Sequence, residues 1–235
     1  MKSPELPDPD LHPIGVAQAE ANAPKVNCLN VKYVLVSPMQ RALQTAIHMF
    51  KNHPNKANLV CIVVPEVHEI LHTTNDIHMD ALELIQKYAP GQAICEGLAF
   101  DFSAITAMEK PQLWSIETIQ SEERKQEFYA RLAQLPGGAS GANVRKVWMD
   151  MVCEQLPHGA FETEDLMYKR GQVGLQVLRD FLASHPLEGD EKIAVVCHSK
   201  FIAAITADGF EGEGASSKLT NYVWTQNAEV LPVEF

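Results

Sequence analysis

Three short apolar runs, each closed by residues suited to open a turn or a helix, constrain this chain more than any other feature. Tyr33-Val34-Leu35-Val36 stops at Ser37-Pro38, Leu59 to Val64 stops at Pro65, and Ile193-Ala194-Val195-Val196-Cys197 stops at His198. Runs of this length without alternation suit strands covered on both faces, as in a parallel sheet. Helical spacing fills the intervals. Ser37 is a good N-cap and Pro38 suits a first helical position. Met39, Ala42, Leu43, Ala46, Ile47 and Phe50 then recur on one helical face. A long helix is predicted from about Glu164 to Ser184, and another from about Phe201.

Strands alternating with helices predict an α/β fold, a three-layer α/β/α sandwich with a mostly parallel central sheet. Residues 1–13 carry four prolines and no periodicity, so they read as an extended lead-in, with a short helix from Ile14 to Asn22. The stretch 70–160 is helical and loop-rich and too long for a simple connection. It reads as a helical cap inserted into a single domain spanning residues 1–235. Leu219 to Thr225 and Glu229 to Val233 read as a closing strand pair, turning at Gln226-Asn227.

Charge and cysteine usage narrow the functional classes. A net charge of −11 disfavours nucleic acid as a partner. The five cysteines (Cys28, Cys61, Cys95, Cys153, Cys197) are scattered and form no CxxC pair, which argues against a disulfide framework or a zinc site and for a reducing compartment. No apolar run approaches the ~20 residues of a membrane span. The start, Met1-Lys2-Ser3-Pro4-Glu5, lacks the apolar core of a signal peptide. The chain reads as cytosolic, with no membrane partner.

Ligands of open α/β sheets bind at the carboxyl ends of the strands. At the first such end, Ser37-Pro38-Met39-Gln40-Arg41 joins a helix start to a guanidinium, two features that favour phosphate. His198 follows the last strand directly. Between them in sequence lies Pro65-Glu66-Val67-His68-Glu69, where a carboxylate just past a strand has the chemistry to protonate a leaving group. Each segment alone is equally compatible with a capped helix, a structural histidine and a solvated glutamate.

Taken in order, these segments resemble the histidine phosphatase (phosphoglycerate-mutase-like) superfamily. Asp8-Pro9-Asp10-Leu11-His12-Pro13-Ile14-Gly15, with Gln18-Ala19, resembles its Asp-x-x-Leu-Thr-x-x-Gly-x-x-Gln-Ala element. Ser37 to Ala46 is similar to Ser-Pro-Leu-x-Arg-Ala-x-Gln-Thr-Ala, and is the most specific single match. Pro65 to Glu69 resembles Pro-x-Leu-x-Glu, and Val195-Val196-Cys197-His198 resembles Val-Val-Ser-His. Asn227-Ala228-Glu229 is similar to the closing strand pair. Phe100-Asp101-Phe102-Ser103 and Leu113-Trp114 resemble the plant and fungal branch. The resemblance implies a phosphomonoester hydrolase acting on a small phosphorylated substrate through a phosphohistidine. Arg41 would clamp the phosphoryl oxygens, and His198 would donate to them. Glu69 would protonate the leaving alcohol, with Glu66 the weaker candidate. It implies no metal and no cofactor, because the cationic pocket does the electrostatic work.

Two departures stand out. Ser199 occupies the position where a glycine usually follows the histidine. More consequentially, the resemblance implies an opening strand ending in Arg-His-Gly, whose histidine takes the phosphoryl group. No Arg-His pair exists among the nine histidines. Met1 falls where the loop after that strand would be. The implied strand is central and buried, so the expectation is either a truncated sequence or a sheet that fills the gap otherwise. A catalytically inactive pseudophosphatase, serving as a binding or scaffolding module, is the competing reading, and a mutase is a third within the superfamily. Other chemistries fit less well. Cys197-His198 reverses the order a cysteine phosphatase needs, and Ser199 lacks the flanking glycines of a nucleophile elbow. Gly137 to Gly141 lacks the lysine of a P-loop.

Overall fold

The structure is a computed structural model that describes residues 6–233; the first five residues of the lead-in lie outside them. Helix α1 (Pro13–Asn27) is followed by β1 (Val31–Val36), α2 (Gln40–Phe50) and β2 (Val60–Val63). Next come α3 (Ala81–Lys87), β3 (Phe100–Asp101), α4 (Ser103–Thr106), α5 (Trp114–Thr118), α6 (Glu122–Leu132) and α7 (Gly141–Gln155). The chain closes with α8 (Glu164–Ser184), β4 (Lys192–Val196), α9 (Ser199–Thr206), β5 (Gly209–Glu211) and β6 (Lys218–Thr220). The central sheet has order β3-β2-β1-β4 with every neighbour parallel, and β5 and β6 form a separate antiparallel pair. This is the α/β architecture that the apolar runs predict, and it is consistent with a phosphoglycerate-mutase-like fold.

Period-two alternation divides the sheet into two faces. Val34, Val36, Cys61, Val63, Ala194 and Val196 pack with α1 and α2. Leu35, Ile62, Ile193, Val195 and Cys197 turn the other way, onto Leu178 of α8 and Phe201 of α9. Helices therefore cover both faces, which is why the strand sequences are apolar throughout rather than alternating. β1 and β4 hydrogen-bond directly, from Val31 opposite Lys192 to Val36 opposite Val196, so the described sheet is continuous between them.

Several local expectations are corrected. Helix α1 runs past Asn22 to Asn27, through Pro24, because Ala23 and Val26 are buried against the core and packing outweighs the lost hydrogen bond. Ser37 is not a helix cap: α2 begins at Gln40 with Met39 at the N-cap. The acceptor at that helix start is the carboxylate of Asp8, which takes the N–H of Gln40 at 2.9 Å. The stretch 70–160 also supplies a strand, since Phe100 and Asp101 pair with Cys61 and Ile62 at the sheet edge. No closing strand pair forms over 219–233. β6 pairs instead with nearby Gly209–Glu211, Asn221 (φ 49°) turns the chain out of the strand, and Pro232 has no N–H to give a ladder. A turn is nonetheless present at Gln226, whose carbonyl accepts the N–H of Glu229.

Two glycines set how closely α8 approaches its neighbours. A methyl on Gly171 would lie 2.8 Å from Cβ of Ala204 and 3.2 Å from its carbonyl carbon, and one on Gly174 would meet the Phe201 ring at 2.7 Å. Backbone and ring cannot give way there as a flexible side-chain tip would. Gly171→Ala is therefore expected to lower stability by about 1–2 kcal/mol, overpacking outweighing the ~1 kcal/mol gained in helix propensity. A lower urea midpoint at unchanged slope would register it; a raised midpoint would mean that α9 yields without loss.

Candidate active site

The carboxyl ends of β1, β2 and β4 lie side by side in register, Val36 beside both Val63 and Val196. The residues that follow these ends therefore share one edge of the sheet. Ser37 follows β1, and its N–H donates to the carbonyl of Val196 at 3.0 Å. His198 follows β4 and is the N-cap of α9. Beyond β2, a turn of 3-10 helix at Pro65–Val67 carries the chain to Glu69. Arg41 sits in the first turn of α2.

Glu69 and His198 face each other, with Oε2 and Nδ1 3.9 Å apart. The other ring nitrogen, Nε2, is 2.8 Å from Oγ of Ser37. Glu69 Oε1 accepts the N–H of Ile70 at 2.9 Å. Burial pushes the Glu69 carboxyl above its ordinary range, with the nearby charge of Arg41 opposing that shift. Burial holds His198 well below the ordinary imidazole value, and the positive charges of Arg41 and Arg170 act in the same direction. An imidazole held toward its neutral form thus stands beside a carboxyl whose proton affinity burial raises, within the field of two guanidinium groups.

Arg41 is already engaged. Its Nη2 donates to Asp76 Oδ1 at 3.0 Å and its Nη1 to the carbonyl of Asn75 at 3.1 Å. Oδ2 of Asp76 accepts from the backbone and hydroxyl of Thr73, at 2.8 and 3.0 Å, so one carboxylate both caps the 3-10 turn Thr74–Asp76 and neutralises the guanidinium. The start of α2 is occupied likewise. Asp8 is buried, and its two oxygens accept from Gln40 N and Met79 N. Burial raises its carboxyl to about 6, partly offset by Arg41. Both features that favour a phosphate, a guanidinium and a helix start, carry an internal carboxylate.

Beneath the site runs a buried ion pair. Arg170 of α8 gives Nε to Glu162 Oε1 at 2.9 Å, Nη2 to Glu162 Oε2 at 3.1 Å and Nη1 to the carbonyl of His68 at 2.7 Å. Glu162 also accepts the N–H of Leu71 at 2.7 Å. The pair thereby holds both sides of Glu69, at His68 and at Leu71. His68 itself is a buried neutral imidazole, its Nε2 2.8 Å from the Thr118 hydroxyl.

The sequence-predicted residues Arg41, Glu69 and His198 are thus brought together. Glu66 makes no ion pair with Arg41 or His198 among the described residues, and its backbone carbonyl lies toward Gly174 of α8. The Cys197 thiol is pushed up to about 12 by burial, which suits a packed side chain and not a nucleophile. Sequence reasoning missed Asp8, Asp76, Glu162 and Arg170. Asp8 and Asp76 lie 32 and 35 residues from the groups they contact; the motif that begins at Asp8 does not say what its carboxylate holds, and no local pattern marks Asp76. Arg170 left one signal, a charged residue on the core-facing stripe of a helix. No group of three or more His, Cys, Asp or Glu among the described residues is disposed to hold a metal ion. No helix among them is long and apolar enough to cross a membrane.

Residues 5–88 match the family model of the Histidine phosphatase superfamily (branch 1). The matched segment carries Asp8, Ser37, Arg41, Glu69 and Asp76, and stops well short of Arg170 and His198. No curated protein matches the chain.

Proposed function

We propose that this chain is a single histidine-phosphatase-type domain whose pocket receives a small phosphorylated substrate. In this reading Arg41 and His198 hold the phosphoryl group and Glu69 is the proton donor to the leaving alcohol. The family match over residues 5–88 supports the chemistry, and the approach of Glu69 to His198 within the field of Arg41 carries the assignment. Hydrolysis through a phosphohistidine needs a nucleophile that follows arginine in the superfamily pattern, and none of the nine histidines here does so. The competing reading, a phosphate-binding module without turnover, draws support from the carboxylate already held by Arg41. Within the proposed domain, residues 70–160 serve as an insertion that borders the pocket through Thr73–Asp76 and tunes substrate preference.

Calorimetric titration with inorganic phosphate tests the pocket itself. Arg41→Ala is expected to weaken binding about 10- to 100-fold, the loss of one charge-assisted pair at ~1.5–3 kcal/mol. Asp76→Asn is expected to tighten it several-fold, because an amide oxygen still accepts from Thr73 but no longer competes as an anion. Identical affinities in all three proteins would refute the pocket.

A further inference from the structure

The hydroxyl of Ser37 has a hydrogen-bond account that admits one solution. Ser37 is wholly buried, and its Oγ accepts the N–H of Met39 at 3.3 Å. Its other neighbour is Nε2 of His198 at 2.8 Å. A serine hydroxyl carries one proton, and a buried donor left without an acceptor costs about 1–3 kcal/mol. If Nε2 carried the imidazole proton, the hydroxyl proton would have no acceptor among these partners. If Nε2 carries the lone pair, the hydroxyl donates to it and every group is satisfied. The far side of the ring is compatible with this assignment. Nδ1 faces the Glu69 carboxyl, an acceptor, at 3.9 Å.

We propose that Ser37 is a positioning residue: its hydroxyl donates to Nε2 of His198 and fixes the ring with its single proton on Nδ1, directed into the site beside Glu69. The role offered to His198 is then that of a hydrogen-bond donor to a bound oxyanion, and not that of a nucleophile, since its only lone pair is taken. An oxygen about 2.8 Å from both Nδ1 and Oε2 forms a closed triangle with their 3.9 Å separation. A phosphoryl oxygen there would accept from Nδ1–H and from a protonated Glu69; this last step rests on the phosphate reading above. The backbone secures the arrangement, because the Ser37 N–H is anchored on Val196, two residues before His198. The serine that the sequence marks as a helix cap is thus turned from the helix to the histidine.

Long-range proton–nitrogen correlation spectra of the 15N-labelled full chain near pH 7.5 read the tautomer directly, with His198→Gln identifying the resonances. The expected pattern for His198 is a pyrrole-type Nδ1 and a pyridine-type Nε2. In Ser37→Ala the Nε2 resonance should move downfield or split as the ring loses its fixed donor, and Ser37→Thr should restore the native pattern. A proton on Nε2 in the native chain would overturn the proposal, as would a His198 spectrum unchanged in Ser37→Ala. Should the alanine variant not fold, the native tautomer alone decides. Adding inorganic phosphate separates the two readings. A native Nδ1–H tautomer that ignores phosphate supports the role of Ser37 and removes the phosphate site. A phosphate-dependent shift on an Nε2–H ring does the reverse.

Discussion

Offered a generic aryl phosphate, the 235-residue chain is expected to hydrolyse it at no more than background rate, although its proposed pocket is expected to bind phosphate. Transfer through a phosphohistidine needs an imidazole lone pair held in line with phosphorus. Positioning of that kind contributes on the order of 10^5-fold or more, which a good anion pocket cannot replace. His198 is the histidine in contact with the proposed site's carboxyl, and its Nε2 is bonded to Ser37. The same protein preceded by a strand ending in Arg-His-Gly is expected to turn over, and to lose that activity when Glu69 becomes glutamine. Robust hydrolysis by the 235-residue chain, abolished in His198→Ala, would make His198 the nucleophile and contradict its proposed tautomer as well. Silence from both proteins alongside measurable phosphate binding would favour the binding-module reading.

The second large effect concerns stability. Arg170→Leu is expected to destabilise the fold by about 3–5 kcal/mol, because it strands the buried Glu162 carboxylate without its partner. Against a total of about 5–15 kcal/mol for a domain, that is enough to leave a substantial unfolded fraction on mild heating. The mechanism is the uncompensated charge and not any intrinsic strength of the pair. Removing both charges in Glu162→Gln/Arg170→Met should therefore recover a large part of the loss, the amide oxygen still accepting from Leu71. Urea unfolding of the single and double variants makes the comparison. A single variant within about 1 kcal/mol of the native protein would mean that water reaches the pair.

How much of this was legible in the chain beforehand can be followed residue by residue. Apolar runs at 33–36 and 193–197 suit strands lying between helical layers, so the parallel sheet and its two helical layers were readable locally, although Ile193 to Val196 are only half-buried in the fold. The helix Glu164–Ser184 was equally plain, because its period repeats over more than five turns' worth of residues at 3.6 per turn. Arg41, Glu69 and His198 could be named together as candidates because each follows a strand, and parallel strands in register deliver such positions to one edge.

What tertiary structure alone decided is where single polar atoms go. Ser37 has the chemistry of a cap in any isolated peptide, yet the helix start takes Asp8 from 32 residues upstream and leaves the serine to His198. Asp76 is sequence-local to its own turn, and only folding brings it under Arg41. The run at 219–225 has the composition of a longer strand, but a strand exists only where an edge is offered, and that edge came from Gly209–Glu211 over three residues. Burial patterns arise from the period of the chain with itself and are therefore written along it. The partner of a hydrogen bond across 30 to 160 residues depends on how whole layers pack, and is written nowhere along the sequence.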